Sequence, residues 1–285
     1  MLEIISEPPI EKINTDWFAS LPVTIYMKRD DLLHPFVSGN KWRKLKYVLQ
    51  DAQVNQKTHL VSFGGAFSNH LVALSSAGKS FGFQTTAFVR GESIENHMLD
   101  YCKNFGMKLI FVSREAYRNK TALYNTYFAD DPDTYFIDEG GKGELAAKGC
   151  EHILMDVDGF SHVFCAVGTG TTLAGMARAT KNKYMVAEGI CVLKGASDID
   201  HEVNSLAGFP IKIHHAFHRG GYAKIDHELI AFMHAFYSHT GIMLDQVYTA
   251  KMVLGVLELA QSGYFQHNSK LLLIHTGGVL GNTAI

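Results

Sequence analysis

Residues 161–175 read SHVFCAVGTGTTLAG. The apolar run 162–167 has the length and the β-branched and aromatic character of a buried strand. Gly168-Thr169-Gly170-Thr171-Thr172 then turns the chain, and Leu173, Met176 and Ala177 return at helical spacing. Strand, glycine turn and helix in that order form the repeating unit of an α/β sheet. Glycines allow a tight turn, and the free amides at the helix start carry the positive end of the helix dipole. With threonine hydroxyls beside them, these amides suit a phosphate. The same composition can also serve as a plain connection that binds nothing.

Outward from this stretch the pattern repeats. Strands are predicted over 23–28, 60–63, 85–90, 109–113, 135–137, 162–167, 186–192 and 271–275. Helices are predicted over 41–52, 69–81, 98–105, 144–156, 172–180, 227–238 and 249–262. The alternation predicts an α/β fold with largely parallel sheets. Several strands end in glycine (Gly64-Gly65, Gly91, Gly140-Gly141, Gly168, Gly277-Gly278), which outlines a ligand site at their carboxyl ends. The 285 residues are 47% hydrophobic, as a packed core needs, and 26 Lys+Arg against 28 Asp+Glu leave a net charge of −2. No broad basic surface for nucleic acid is expected. No apolar run approaches the ~18 residues of a membrane helix. The acidic start at residues 1–9 does not resemble a secretory signal. Cys102, Cys150, Cys165 and Cys191 form no CxxC pair, so a cytoplasmic protein with reduced thiols is expected.

Ser38-Gly39-Asn40-Lys41 precedes a helical pattern. Ser38 and Asn40 are good caps, which puts Lys41 in the first turn, where the dipole favours a neutral amine. A neutral amine near a carbonyl cofactor can form a Schiff base. Alternatively, Lys41, Arg43, Lys44 and Lys46 form a solvated basic face. In Gly64-Gly65-Ala66-Phe67-Ser68-Asn69-His70, Ser68 and Asn69 can cap the next helix, or with its free amides hold a carboxylate. Tyr222 and Tyr248 are either half-buried core aromatics or pocket walls. Two nucleotide patterns are incomplete, which leaves a nucleotide-binding α/β protein as a remote alternative. Ala77-Gly78-Lys79-Ser80 has Ala73 where a Walker loop needs glycine, and Gly141–Ala146 lacks the acidic ribose contact. His214, His215 and His218 carry no metal-binding signature, and no metal is expected.

In order along the chain, KRDDLLHPFVSGNKWRKLKY (28–47), GGAFSNH (64–70), GTGTTLAG (168–175), GGYAK (220–224) and LDQVYT (244–249) resemble the pyridoxal-phosphate enzymes that include D-cysteine desulfhydrase and 1-aminocyclopropane-1-carboxylate deaminase. The resemblance runs from about residue 9 to 280. It implies the two-domain tryptophan-synthase-β type fold (fold type II). A small domain at 46–154 is inserted into a large one made of 1–45 and 155–285. It also implies pyridoxal 5′-phosphate as cofactor and a homodimer. Lys41 would carry the cofactor as an internal aldimine and move the Cα proton. Gly168, Thr169, Gly170, Thr171 and Thr172 would hold the phosphate, Asn69 would meet the 3′-oxygen, and Thr249 the pyridine nitrogen. Ser68, with Asn69 and His70, would hold the substrate carboxylate, and Tyr222 and Tyr248 would line the substrate pocket, with Ser68 and Tyr248 serving catalysis.

Within the family, Thr249 and Thr276 stand where the deaminase type has glutamate and leucine. With His70, they match the desulfhydrase type. That points to α,β-elimination from D-cysteine, giving pyruvate, ammonia and sulfide. The alternative is opening of 1-aminocyclopropane-1-carboxylate to 2-oxobutyrate and ammonia. Phe67 for glutamine, Val72-Ala73 for Arg-Gln, and Gln246 and Ala250 for Pro and Gly depart from the pattern.

Overall fold

The computed structural model describes residues 7–14, 18 and 20–283. Most of the acidic start read above (residues 1–6) lies outside them. Ten strands form two sheets. The larger is ordered β1 (Ile10–Lys12), β2 (Val23–Lys28), β10 (Ser269–Ile274), β7 (His162–Val167), β8 (Val186–Cys191) and β9 (Ile213–His214). Only β1 runs antiparallel, pairing Ile10 with Lys28; the other pairings are parallel. The smaller sheet, wholly parallel, is ordered β5 (Lys108–Val112), β4 (Gln84–Arg90), β3 (His59–Gly65) and β6 (Thr134–Phe136). Its strands lie between residues 59 and 136, and those of the larger sheet lie before and after that span.

Continuous apolar runs become central strands because parallel strands are covered on both faces. Val163–Val167 of β7 and Leu271–Ile274 of β10 are buried throughout. The helices are α1 (Asn40–Val54), α2 (Asn69–Phe81), α3 (His97–Asn104), α4 (Lys120–Phe128), α5 (Glu144–Glu151), α6 (Thr171–Thr180), α7 (Ile199–Ala207), α8 (His227–Thr240) and α9 (Thr249–Gln261). The contact of α1 with α5 matters most for the site. A Cβ at Gly149 would stand 1.9 Å from the Arg43 carbonyl, so only glycine lets these helices approach so closely. α5 packs in turn on α6, which fixes the lysine helix relative to the glycine turn.

The predicted strands and helices are present with no end moved by more than two residues, except that the helix expected over 144–156 stops at Glu151. The edge strands β1 and β9, of three and two residues, were not foreseen, nor were α4 and α7. α4 buries no side chain, which leaves little apolar pattern to read.

Candidate active site

Between the two sheets, at the carboxyl ends of β7 and β10, lies a cavity of about 330 Å³. Lys41, Asn69, Gly168, Thr169, Gly170, Thr172 and Tyr248 line it. Ser68, His70, Thr171, Thr249 and Tyr222 do not form its wall.

The lysine is delivered by a crossing of two backbones. Gly39, not Ser38 or Asn40, is the N-cap of α1, at φ 58°. A Cβ there would sit 2.0 Å from the Thr276 carbonyl, so both the left-handed φ and the close approach exclude other residues. Ser38 turns away and donates to the Asp31 carbonyl at 2.9 Å. Asn40 bridges the site: its Nδ2 donates to Thr172 Oγ1 at 2.8 Å, and its Oδ1 accepts from Lys41 Nζ at 3.1 Å. Burial pushes the Lys41 ammonium down to about 7, with the neighbouring Lys44 charge acting in the same direction. The depression foreseen from the helix dipole is therefore present, but desolvation and a like charge cause it.

The solvated basic face is corrected at Lys44, which is 3% exposed. Its Nζ donates to the Gly140 carbonyl at 3.0 Å and to Thr169 Oγ1 at 3.3 Å. Arg43 pairs with the buried Asp30 at 3.0 Å, and only Lys46 stays exposed. Lys44 follows Lys41 by three residues, so both fall on the face of α1 turned to the cavity.

The glycine turn has the form of an anion cradle. Gly170 caps α6 at φ 74° and has no side chain to occupy the first amides, the first backbone bond of the helix running from Ala174 N to Gly170 O at 3.0 Å. The buried Thr171 hydroxyl has no partner. A Cβ at Gly168 would press on the Tyr248 ring at 3.0 Å. Capless amides, an orphan hydroxyl and two buried ammonium groups fit the phosphate and aldehyde ends of pyridoxal phosphate.

On the opposite wall, Ser68 caps α2 and accepts from Leu71 N at 3.4 Å, while Asn69 faces the cavity. His70 points into the core behind β3 of the smaller sheet. Ser62 donates to the Ile137 carbonyl at 2.8 Å and so accepts from His70 Nε2 at 2.8 Å. Burial, with Lys41 and Lys44 nearby, keeps this imidazole neutral. Tyr222 is exposed, its ring 6.0 Å from that of Tyr248 at 68°. Thr249 lies off the wall because its hydroxyl accepts from the Asp245 amide at 2.6 Å, within a cap in which the Asp245 carboxylate takes the amides of Val247, Tyr248 and Thr249. Thr276, by contrast, does line the cavity. Gln246 binds the Gly281 carbonyl at 3.1 Å and Thr283 Oγ1 at 3.2 Å, pinning the segment that follows the cavity-lining residues 276–280. The sequence offered Asn40 as a cap, Lys44 as part of a basic face and Gly140 as a strand-end glycine, and none of these readings pointed to the contacts they make here.

The incomplete Walker pattern and two of the three clustered histidines have structural uses. Gly78–Ser80 lies near the end of α2, where a Cβ at Gly78 would meet Thr85 at 2.3 Å. His214 pairs with Glu188 and His215 with Asp200.

Residues 9–277 match the family described as pyridoxal-phosphate dependent enzyme. The chain is 30% identical, over 90% of its own length and 89% of the other's, to a protein of Thermotoga maritima named "Putative 1-aminocyclopropane-1-carboxylate deaminase". It is 25% identical, over 96% and 92%, to the D-cysteine desulfhydrase of Serratia proteamaculans. Its fold superposes on the crystal structure of an ACC deaminase homologue with a TM-score of 0.83 at 26% identity, covering 98% of this chain and 91% of that one. A family match over nearly the whole chain, a shared two-sheet fold and a buried lysine beside an anion cradle agree: the chain belongs to the pyridoxal-phosphate-dependent enzymes of fold type II, in the family that holds D-cysteine desulfhydrase and 1-aminocyclopropane-1-carboxylate deaminase.

Proposed function

We propose that the protein is a lyase acting on a small amino acid, with D-cysteine desulfhydrase-like α,β-elimination as its reaction: D-cysteine and water give pyruvate, ammonia and sulfide. The carrying observation is the Lys41 amine, lowered to about 7 by burial and Lys44 and held by Asn40 in the cavity wall. When bound, pyridoxal phosphate supplies the electron sink that lets the substrate's α-carbon lose a proton. Lys41 Nζ, near neutrality, can take that proton and return one. Lys44, with the cradle from Gly168 to Thr172, balances the phosphate charge. Asn69 orients the cofactor's 3′-oxygen, and Ser68, with Asn69 and the start of α2, holds the substrate carboxylate, while His70 braces that helix start from the core through Ser62. Tyr248, kept a neutral phenol by burial and by Tyr222, closes one wall against water.

For the pyridine nitrogen, the cavity offers the Thr276 hydroxyl, since Thr249 is spent on Asp245. A hydroxyl there leaves the ring less electron-withdrawing than a carboxylate would, which is adequate for expelling a thiolate. The relative at 30% identity favours a second reading, deamination of 1-aminocyclopropane-1-carboxylate to 2-oxobutyrate. The division into domains 46–154 and 1–45 plus 155–285 belongs to this proposal, supported by the two sheets. So do a cytoplasmic location, supported by four free buried cysteines, and a homodimer, which the family resemblance carries. No described helix is long and apolar enough to cross a membrane. Keto-acid release from D- and L-amino acids and 1-aminocyclopropane-1-carboxylate tests the proposal. Pyruvate with sulfide from D-cysteine is expected; 2-oxobutyrate alone installs the second reading, and no keto acid from any of them rejects both.

A further inference from the structure

Lys251 sits in the first turn of α9, three residues after Tyr248, and is 0% exposed. A fully buried lysine ordinarily answers a carboxylate. Lys251 instead donates to two carbonyls, His218 O at 3.0 Å and Gly221 O at 2.7 Å. These are the acceptors of two successive turns: Gly221 N donates to His218 O at 3.1 Å, and Lys224 N to Gly221 O at 3.2 Å. One ammonium thus closes both turns from beneath.

The loop needs such closure. Its backbone has positive φ at Arg219 (47°), Gly220 (86°), Gly221 (114°) and Ala223 (54°), and for Arg219 and Ala223 that conformation is unfavourable. On the outside, the Arg219 guanidinium grips Asp226 at 2.9 and 2.8 Å and Glu228 at 2.6 Å. Between the two clamps stands Tyr222, its ring against Tyr248. The turn of helix that starts at the cavity-lining Tyr248 therefore also carries the group that sets the backbone under Tyr222.

We propose that Lys251 is a positioning residue of the active site, stapling loop 218–224 to α9 so that Tyr222 is held at a set distance from Tyr248. It acts on substrate fit through the two tyrosines and touches no reacting atom. The inference rests on the reading of Tyr248 as a substrate wall, which Tyr222, outside the cavity lining, packs against. A lysine that merely fills the core would affect stability but would leave the loop and substrate affinity alone.

The test is Lys251→Met in the cofactor-loaded protein, with D-cysteine and 1-aminocyclopropane-1-carboxylate as substrates and trypsin as a probe of the loop, which offers cleavage sites at Arg219 and Lys224. Expected are a KM raised about tenfold with kcat within about threefold, and cleavage at Arg219 or Lys224 faster by about tenfold with other sites unchanged. Lys251→Arg, which keeps the donors, should recover part of both. In a Tyr222→Ala background, Lys251→Met should add less than about twofold to KM. Unchanged KM and cleavage, or a KM effect that adds in full to that of Tyr222→Ala, overturns the proposal. If Lys251→Met does not fold, amide exchange in the unsubstituted protein decides. Protection of Gly221 and Lys224 matching that of α9 supports the staple, and fast exchange at both overturns it. If neither compound is turned over, the proposed reaction falls, while cleavage and exchange still judge the staple.

Discussion

At the carboxyl ends of the large sheet, Lys44 is 3% exposed; near the amino end of β8, Glu188 is also 3% exposed. Equal burial is met in opposite ways. Glu188 accepts from His214 Nε2 at 2.6 Å and from Tyr264 at 3.1 Å to both oxygens, with His162 3.8 Å away. That charge is answered by the protein and ties the edge strand β9 to its neighbour. Lys44 and Lys41 have no carboxylate in ion-pair contact among the described residues. The one carboxylate lining their cavity, Asp31, is held by Arg29 at 2.9 and 2.8 Å. Satisfied buried charge is architecture, and buried charge left open is a demand for a ligand. The contrast separates two clusters of titratable residues that look alike in composition.

The sharpest test of that contrast is Lys41→Ala, which should cut keto-acid release by at least about 10³-fold while leaving the fold intact by circular dichroism; residual turnover near the wild-type level would remove Lys41 from the chemistry. At the other end, Glu188→Ala should cost about 3 kcal/mol in urea unfolding, because it strands His214 and Tyr264, yet kcat/KM should stay within about twofold. A large kinetic loss there would mean that the two ends are not independent. Lys44→Met reverses the pattern. Cofactor affinity should fall by about 10- to 100-fold in a dialysis or fluorescence titration, as loss of a charged hydrogen-bond donor to an anion implies. Cofactor-free stability should hold or rise, since an unanswered buried ammonium is gone. A stability loss equal to that of Glu188→Ala would erase the distinction.

The smallest expected effect concerns pH. In the cofactor-free protein, Lys41 is lowered from 10.5 to about 7. Between those values the unfolded chain binds a proton that the folded chain does not, so stability rises with pH across that window. The full penalty is present below about 7. Relative to Lys41→Met, the wild type should gain at most about 1.4 kcal/mol per pH unit between 8 and 9. A flat difference in chemical-denaturation stability across that range would contradict the burial of the amine.

Legibility in the sequence followed the range of the interaction. The 69–81 helix and the 23–28 and 162–167 strands were legible to the residue, because period and length are local. The Lys41 segment and the turn at Gly168 were legible as motifs. Lys44 was not, since a lysine beside Arg43 and Lys46 has the pattern of a wet face until α5 and the Gly140 loop cover it. The placement of the two threonines was not legible either. Thr249 and Thr276 look equivalent on paper, but Asp245 takes the first into its cap and leaves the second on the wall. His70 went the same way, drawn inward by Ser62.

By itself, then, the sequence determined the alternation of strands and helices, the glycine turn at 168–172 and the lysine segment at 38–41. Those features depend on spacing over a few residues and on the conformational freedom of glycine. The tertiary structure alone decided that Lys41 and Lys44 meet no carboxylate among the described residues, which threonine lines the cavity, and that the backbones at Gly39 and Thr276 cross within contact distance. The covering of Lys44 and the crossing at Gly39 depend on segments 96 or more residues apart in sequence meeting at one end of a sheet, and strand order, not local pattern, brings them there.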